Sequence, residues 1–308
     1  MLLDAVFGGE LKALPSNYGT ASTRLSGRNA AASHVGRLSL MSYNLLAPGY
    51  KRPAEAMEAS RARALAQIDV VRAAAADVVG LQEFTLAEEH SRPWSDFAAE
   101  AGYCMLVSPR TGGKIDGCCM LVREQCLSEA PKMETYSFED WGNRIVQVVT
   151  LSLAGPAAEE SRRLTLAHTH LTFPHDSGHD STMRWHQARK LATWVSTRTQ
   201  SAGAPLAVFG DLNGDVNDPA VSLLLESGSL TPHSTEVDWV SHKSHTGSLV
   251  ACDLVATADG AATACRVASW ALGLGGSREE LVAGTSVSDH LPVSVSLELG
   301  PLPTAAVA

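Results

Sequence analysis

The chain lacks an excess of positive charge: 24 Lys and Arg residues stand against 33 Asp and Glu, for a formal net charge of -9. A protein that wraps long duplex DNA needs a basic stripe to release counterions from the phosphates. None is visible, so extended duplex binding is not expected. A small phosphate-bearing substrate, met by a focused basic site, stays open. Long apolar runs are also missing: no stretch approaches the ~18 to 20 apolar residues of a membrane helix. No N-terminal stretch has the charged start and apolar core of a secretory signal. None of the six cysteines (Cys104, Cys118, Cys119, Cys126, Cys252, Cys265) sits in a CxxC pair. Buried, reduced thiols in an intracellular protein, cytoplasmic or organellar rather than secreted, are the expectation. No Pro- or Ser-rich linker and no internal repeat divides the chain.

What remains is an alternation of apolar runs and helical patterns. Residues 1–36 read as a loosely docked segment; Asp4 and Glu10 argue against a transit peptide. Residues 37–300 read as one domain, and 301–308 as a tail. "RLSLMSYN", "DVVGLQEF", "YCMLVSP", "GCCMLVRE", "NRIVQVVTLSL", "RRLTLAHTHL", "PLAVFGDLN", "ACDLVAT", "RVASWAL" and "LPVSVSLEL" read as strands. Helices are expected over 54–76, 94–103, 181–200 and 218–228. Asp218 is the expected cap of the last, with Pro219 in its first turn. Strands outnumber helices and helices separate groups of strands. The fold class is α/β, a four-layered sandwich of two packed mixed sheets flanked by helices; a monomer is expected.

Several strands stop on groups that chemistry can use: Asn44, Glu83, His170, and Asp211 with Asn213. Asp253 lies inside an apolar run, where a carboxylate needs a partner. Asp289 and His290 open the last strand. Each has a bland alternative. Asn44 could open the turn before Pro48, Glu83 could face solvent, and His168 or His170 could be a satisfied structural histidine. If these ends converge, one rim of the stacked sheets carries a cluster. "GDLNGDVND" also begins like a calcium loop at positions 211, 213 and 215. Val216 then replaces the glycine the turn needs, and the twelfth position is Ser222 rather than Glu.

In order, Asn44 in "MSYNLLAP", Glu83 in "GLQEF", His170 in "HTHL", "GDLN" at 210–213, Asp253 in "CDLV" and "SDHLPV" at 288–293 resemble the endonuclease/exonuclease/phosphatase superfamily. The likeness runs from about residue 38 to 298 and is nearest its nocturnin-like deadenylase branch. "GGKIDGCCMLV" and the segment after His170 carry that branch resemblance. "WVSHKSHTGSLVACDLV" departs from it and looks more like an uncharacterised plant and algal group.

The resemblance implies divalent-metal-dependent hydrolysis of phosphate esters, with Mg2+ as cofactor and Mn2+ also competent. It implies Glu83 as the main metal ligand, with Asn44 adding a neutral oxygen or orienting Glu83, and Asp289 acting through water. Asp211 would activate water, Asn213 would hold it, and His290, oriented by Asp253, would bind phosphate beside His170. Arg144, Asn143, Lys114, His242 and His245 are substrate-binding candidates. A phosphodiesterase or 3'-exonuclease on short single-stranded RNA or nucleotides is the first reading. A phosphomonoesterase on a nucleotide, inositol phosphate or cyclic-phosphate product is the second, and a non-catalytic binder on the same fold the third.

Overall fold

The structure is a computed structural model that describes residues 9–22, 37–154, 162–175, 178–202, 205–233, 239–258, 265–272 and 277–299. The expected tail, 301–308, lies outside the described residues, as do 1–8 and 23–36. One sheet runs in the order β1 (Lys12–Ala13), β7 (Lys132–Ser137), β8 (Ile145–Leu153), β9 (Arg162–His170), β10 (Leu206–Asp211), β14 (Asp253–Ala258), β11 (Leu230–Pro232). The other runs β15 (Cys265–Leu272), β16 (Val293–Leu299), β3 (Arg37–Asn44), β4 (Val78–Thr85), β6 (Asp116–Arg123), β5 (Tyr103–Pro109), β2 (Thr20–Ser22). Each is mixed through one parallel pair, β9 with β10 and β3 with β4. A two-stranded ribbon, β12 (His242–Lys243) and β13 (Leu249–Val250), stands apart.

Period-two alternation makes the layers. Leu38 and Leu40, Leu164 and Leu166, and Ala207 and Phe209 point between the sheets into one apolar cluster. Phe209 is fully buried there, worth about 1.5–3 kcal/mol for such a ring. The opposite faces meet helices. Met41, Tyr43, Val79 and Leu81 pack on α1 (Met57–Ala74) and α2 (Glu88–Ala101) through Ile68, Val71, Trp94 and Phe97. Val146, Val148 and Val208 pack on α3 (Gly178–Ala202) and α4 (Pro219–Gly228) through Leu191, Val195, Val221 and Leu224. A short α5 (Arg278–Ala283) opens on a capping box between Ser277 and Glu280. Asp218 caps α4 as expected, accepting from Ala220 N–H at 2.9 Å. The result is the expected four-layer sandwich.

Two differences have simple causes. Residues 9–22 do not hang loose: β1 pairs with β7 and β2 with β5, and Leu11 joins the core. Strand β7 was hidden in the sequence because Lys132 and Glu134 interrupt its apolar pattern.

Candidate active site

The polar strand ends continue the inward-facing series. After Ala207 and Phe209 comes Asp211; after Leu164 and Leu166 come His168 and His170; after Leu38 and Leu40 comes Asn44. On antiparallel β14, Asp253 precedes inward-facing Val255. Register sets His170 beside Asp211 and Asp211 beside Asp253. The expected convergence is therefore real, at one open end of the inter-sheet core. Beneath it lies a polar layer: His168 stacks on Phe209, with Gln82 Nε2 2.6 Å from one ring nitrogen and Gln147 Oε1 3.1 Å from the other. Gly210 makes the approach possible. At φ +135°, a Cβ there would lie 1.9 Å from Thr169 O.

Glu83 needs a different device. Gln82 faces inward, so simple alternation would send Glu83 outward. A register shift between Leu81 and Phe84, with Glu83 at φ +54°, breaks the alternation and re-aims the side chain. Its carboxylate accepts from Ala47 N–H at 2.8 Å. Burial first, then the charge of Asp289, pushes it up to about 7. Burial also raises Asp289, with Asp211 adding to the rise.

Asp211 is the hub. Its Oδ2 accepts from Asn44 Nδ2 at 2.9 Å and lies 3.4 Å from His170 Nε2 and 3.6 Å from His290 Nε2. Its Oδ1 accepts from Asn213 N–H at 2.9 Å. His290 Nδ1 donates to Asp253 Oδ2 at 2.8 Å. Burial alone would lower His290; Asp253, Asp211 and Asp289 outweigh it and raise the ring to about 10. His290 is therefore an imidazolium at neutral pH, with Nε2–H aimed at the centre. Burial, then Arg144, holds His170 well below its ordinary value, so this ring is neutral and has a single N–H to give.

Some side chains differ from expectation. Asn44 Oδ1 accepts from Leu46 N–H at 3.0 Å, and among the described residues no hydrogen bond joins Asn44 to Glu83; Asn44 orients Asp211 instead. Asn213 does not continue the strand. It sits at φ +53° and its Nδ2 donates to Leu171 O at 2.8 Å. Asn143 joins two loops rather than facing the centre: its amide accepts from Thr111 Oγ1 of the β5–β6 connection at 3.2 Å and donates to Trp141 O at 2.9 Å.

Two adjoining cavities lie near these residues. One, of about 490 Å³, is lined by Arg144, Lys114, Arg110 and Trp141. The other, of about 470 Å³, is lined by Asn213, His242, His245 and Arg184. Phe173 and His175 line both. Arg144 has Nε and Nη1 without a hydrogen-bond partner among the described residues. His242 stacks on His290 with centroids 4.0 Å apart, and its Nδ1 lies 3.1 Å from Asp289 O. Burial, then His290, lowers it to about 4. The sequence reading passed over Ser288, which sits in the quoted "SDHLPV". Its hydroxyl donates to Asn44 O at 2.7 Å, and His290 N–H donates back to it at 3.2 Å.

For a metal, Glu83 and Asp289 offer carboxylate oxygens of the kind a hard cation takes, and the charge of Asp289 reaches Glu83. Two tighter groups fit less well. Asp211, Cys252 and His290, and His242, Asp289 and His290, each gather donor atoms within 4.8 Å. Each includes an imidazole or thiol donor, which suits a hard cation less well than carboxylate oxygen does.

A four-layer α/β sandwich whose inter-sheet core opens on carboxylates and imidazoles is a scaffold with a hydrolase-type centre. The chain belongs to the endonuclease/exonuclease/phosphatase family, whose sequence profile matches residues 41–290. An Arabidopsis thaliana relative, named an uncharacterized calcium-binding protein, is 24% identical over 258 residues, covering 75% of this chain and 53% of its own. The chain thus spans about half the length of that relative. The fold is similar to the human Nocturnin catalytic domain with bound sulfate (TM-score 0.64, 18% identity, 86% of this chain and 95% of that one). It is also similar to truncated Caenorhabditis elegans TDP2 (0.63, 19%, 85% and 97%). ANGEL2, a 2',3'-cyclic phosphatase solved with adenosine-2',3'-vanadate, is a third neighbour (0.64, 17%, 87% and 97%).

Proposed function

We propose that the chain hydrolyses phosphodiesters in nucleotides or short single-stranded RNA, by in-line attack of water supported by a divalent cation. The observation that carries this is the pair of adjoining cavities that share Phe173 and His175, one lined by Arg144 and the other by Asn213 and by His242, which stacks on His290. A phosphodiester has two organic substituents and fills both; a phosphomonoester fills one. The family membership and the phosphatase-type neighbours support phosphoester chemistry.

Asp211 Oδ2 accepts the proton of the attacking water, oriented by Asn44 and by the backbone of Asn213. His290, kept protonated by Asp253, donates to a non-bridging oxygen as charge builds there. Arg144 offers its unpartnered Nε–H and Nη1–H to the phosphate from the other side. Mg2+ or Mn2+ at Glu83 and Asp289 would supply further neutralising charge. Calcium in the name of the Arabidopsis relative does not point to residues 211–222 of this chain. Asp215 accepts from Asn217 N–H at 2.9 Å and Asp218 caps α4, so that loop is a turn with its carboxylates spent.

The test is a substrate set with and without EDTA: oligo(A), mixed RNA, single-stranded DNA, dinucleotide cofactors and inositol phosphates. Diesters should be cleaved faster than monoesters, and EDTA should stop both. Asp211→Asn should abolish turnover with the circular dichroism unchanged. Monoesters as the better substrates would overturn the diester reading, and no hydrolysis of any ester with Mg2+ or Mn2+ would leave only a binding role.

A further inference from the structure

The turn between β7 and β8 carries Trp141, which is 70% exposed. A single exposed apolar residue is ordinary and by itself means little. Its backbone is unusual, because every neighbour is tied down. Phe138 O accepts from Lys190 Nζ at 2.7 Å, and Asp140 Oδ2 accepts from Gln187 Nε2 at 2.7 Å, both from α3. Gly142 O accepts from Arg110 Nη2 at 2.6 Å. A Cβ on Gly142 would lie 2.6 Å from Thr172 Oγ1, so the chain is pressed flat against its support. Trp141 O itself accepts from Asn143 Nδ2 at 2.9 Å. The turn that carries this exposed residue is therefore fixed.

A second observation says what this exposed residue is placed for. Trp141 stands on the rim of the 490 Å³ cavity that contains Arg110, Lys114 and Arg144. Arg110 is neutralised by Asp116 at 3.1 Å, whereas Arg144 keeps two donors without a protein partner among the described residues. Burial, then Arg110, lowers Arg144, while Asp116 and Glu83 oppose the fall. An aromatic face beside an unsatisfied guanidinium fits a ligand that is aromatic at one end and anionic at the other.

We propose that Trp141 is a stacking platform for a nucleobase of the substrate, whose phosphate lies on Arg144. This rests on the phosphodiester reading of the adjoining centre and sharpens it: the substrate is single-stranded, since a base within a duplex has no face to offer. The indole is a binding residue and takes no part in bond cleavage. Stacking on an exposed ring is sequence-tolerant, because every base has a π-face.

The experiment reads binding without turnover. Fluorescence anisotropy of a short fluorescein-labelled oligo(A) is measured in EDTA for the wild type, Trp141→Ala and Trp141→Phe, beside an abasic oligomer of equal length. Trp141→Ala should weaken oligo(A) binding by about 5- to 150-fold, and Trp141→Phe should restore most of it. The abasic oligomer should bind the wild type weakly, and Trp141→Ala should weaken it little further, so the two losses are not additive. Equal losses on oligo(A) and abasic oligomer would overturn the platform, as would equal affinity of the wild type for duplex and single strand. Normal base-dependent binding with no hydrolysis in Mg2+ would keep the platform and sink the proposed activity instead.

Discussion

His168 should make the fold acid-labile. The ring is fully buried, stacked on Phe209 with centroids 4.7 Å apart and planes at 10°. Gln147 Oε1 takes the Nδ1 proton, and Gln82 Nε2 donates to the Nε2 lone pair, an orientation supported by its second donation to Gly80 O at 3.2 Å. A proton on Nε2 would face a donor. Burial accordingly lowers the ring from 6.5 to about 3. A histidine depressed in the folded state contributes stability that is complete above its unfolded value and is lost as pH falls toward the folded one. The window is therefore about 6.5 down to about 3, and the whole term is about 5 kcal/mol at ~1.36 kcal/mol per unit. Urea unfolding in EDTA would be followed from about pH 7 to about pH 4.5 for the wild type and His168→Gln. At neutral pH the variant should be less stable by about 1–3 kcal/mol, having lost a buried donor and acceptor pairing. On acidification that difference should shrink by about 2–3 kcal/mol, because only the wild type loses the His168 term. A gap that stays constant with pH, or an NMR titration of the His168 ring above about pH 5, would refute the reasoning.

Other residues give sharper local tests. Gly210→Ala should cost about 2–4 kcal/mol, since φ +135° and the Thr169 carbonyl both exclude a methyl group; a melting curve matching wild type would contradict this. Glu83→Gln should raise stability in EDTA, because it removes a buried charge held up at about 7. The same variant should lose most of the thermal shift that saturating Mg2+ or Mn2+ gives the wild type, about 2.7 kcal/mol at a hundredfold excess over Kd. An undiminished shift would move the metal elsewhere. Asp253→Asn should lower kcat by about 10²–10⁴-fold with KM little changed, as His290 loses the carboxylate that holds its proton and its orientation. A proportional rise in KM with kcat preserved would instead mark Asp253 as a binding residue.

The layers were legible because alternation in β3, β9 and β10 names two faces, and Ala-rich or capped segments name the helices. The centre was legible for the same reason: Asn44, His170 and Asp211 each extend an inward series. Glu83 broke the rule. Its parity pointed outward, and only the bulge and its left-handed backbone bring it in, a feature alternation cannot encode. Asn213 misled in the opposite way, since its spacing from Asp211 suggested a strand that had already ended. Asn143 was a substrate-binding candidate through its place beside Arg144, yet its amide is engaged by Thr111 and the Trp141 carbonyl. Trp141 gave no signal at all, because a lone aromatic between Asp140 and Gly142 has no period.

That division has a physical origin. Groups that must meet a phosphorus atom sit on strand ends, where register across two sheets fixes their separation and the apolar core beneath fixes their direction. Groups proposed to choose what is attached to the phosphorus sit on connections: Trp141 between β7 and β8, Lys114 between β5 and β6, His245 between β12 and β13. The two sets differ in how they tolerate change. Inserting a residue in β10 shifts every later inward side chain to the wrong face, and a side chain at Gly210 collides with the Thr169 carbonyl. Altering the 141 or 245 turns leaves register intact and changes only what fits in the cavities. On the proposed activity, His245, on a turn, would bear on substrate choice, while Asp211, His290 and Asp253, buried and hydrogen-bonded or in close contact, would bear on the reaction.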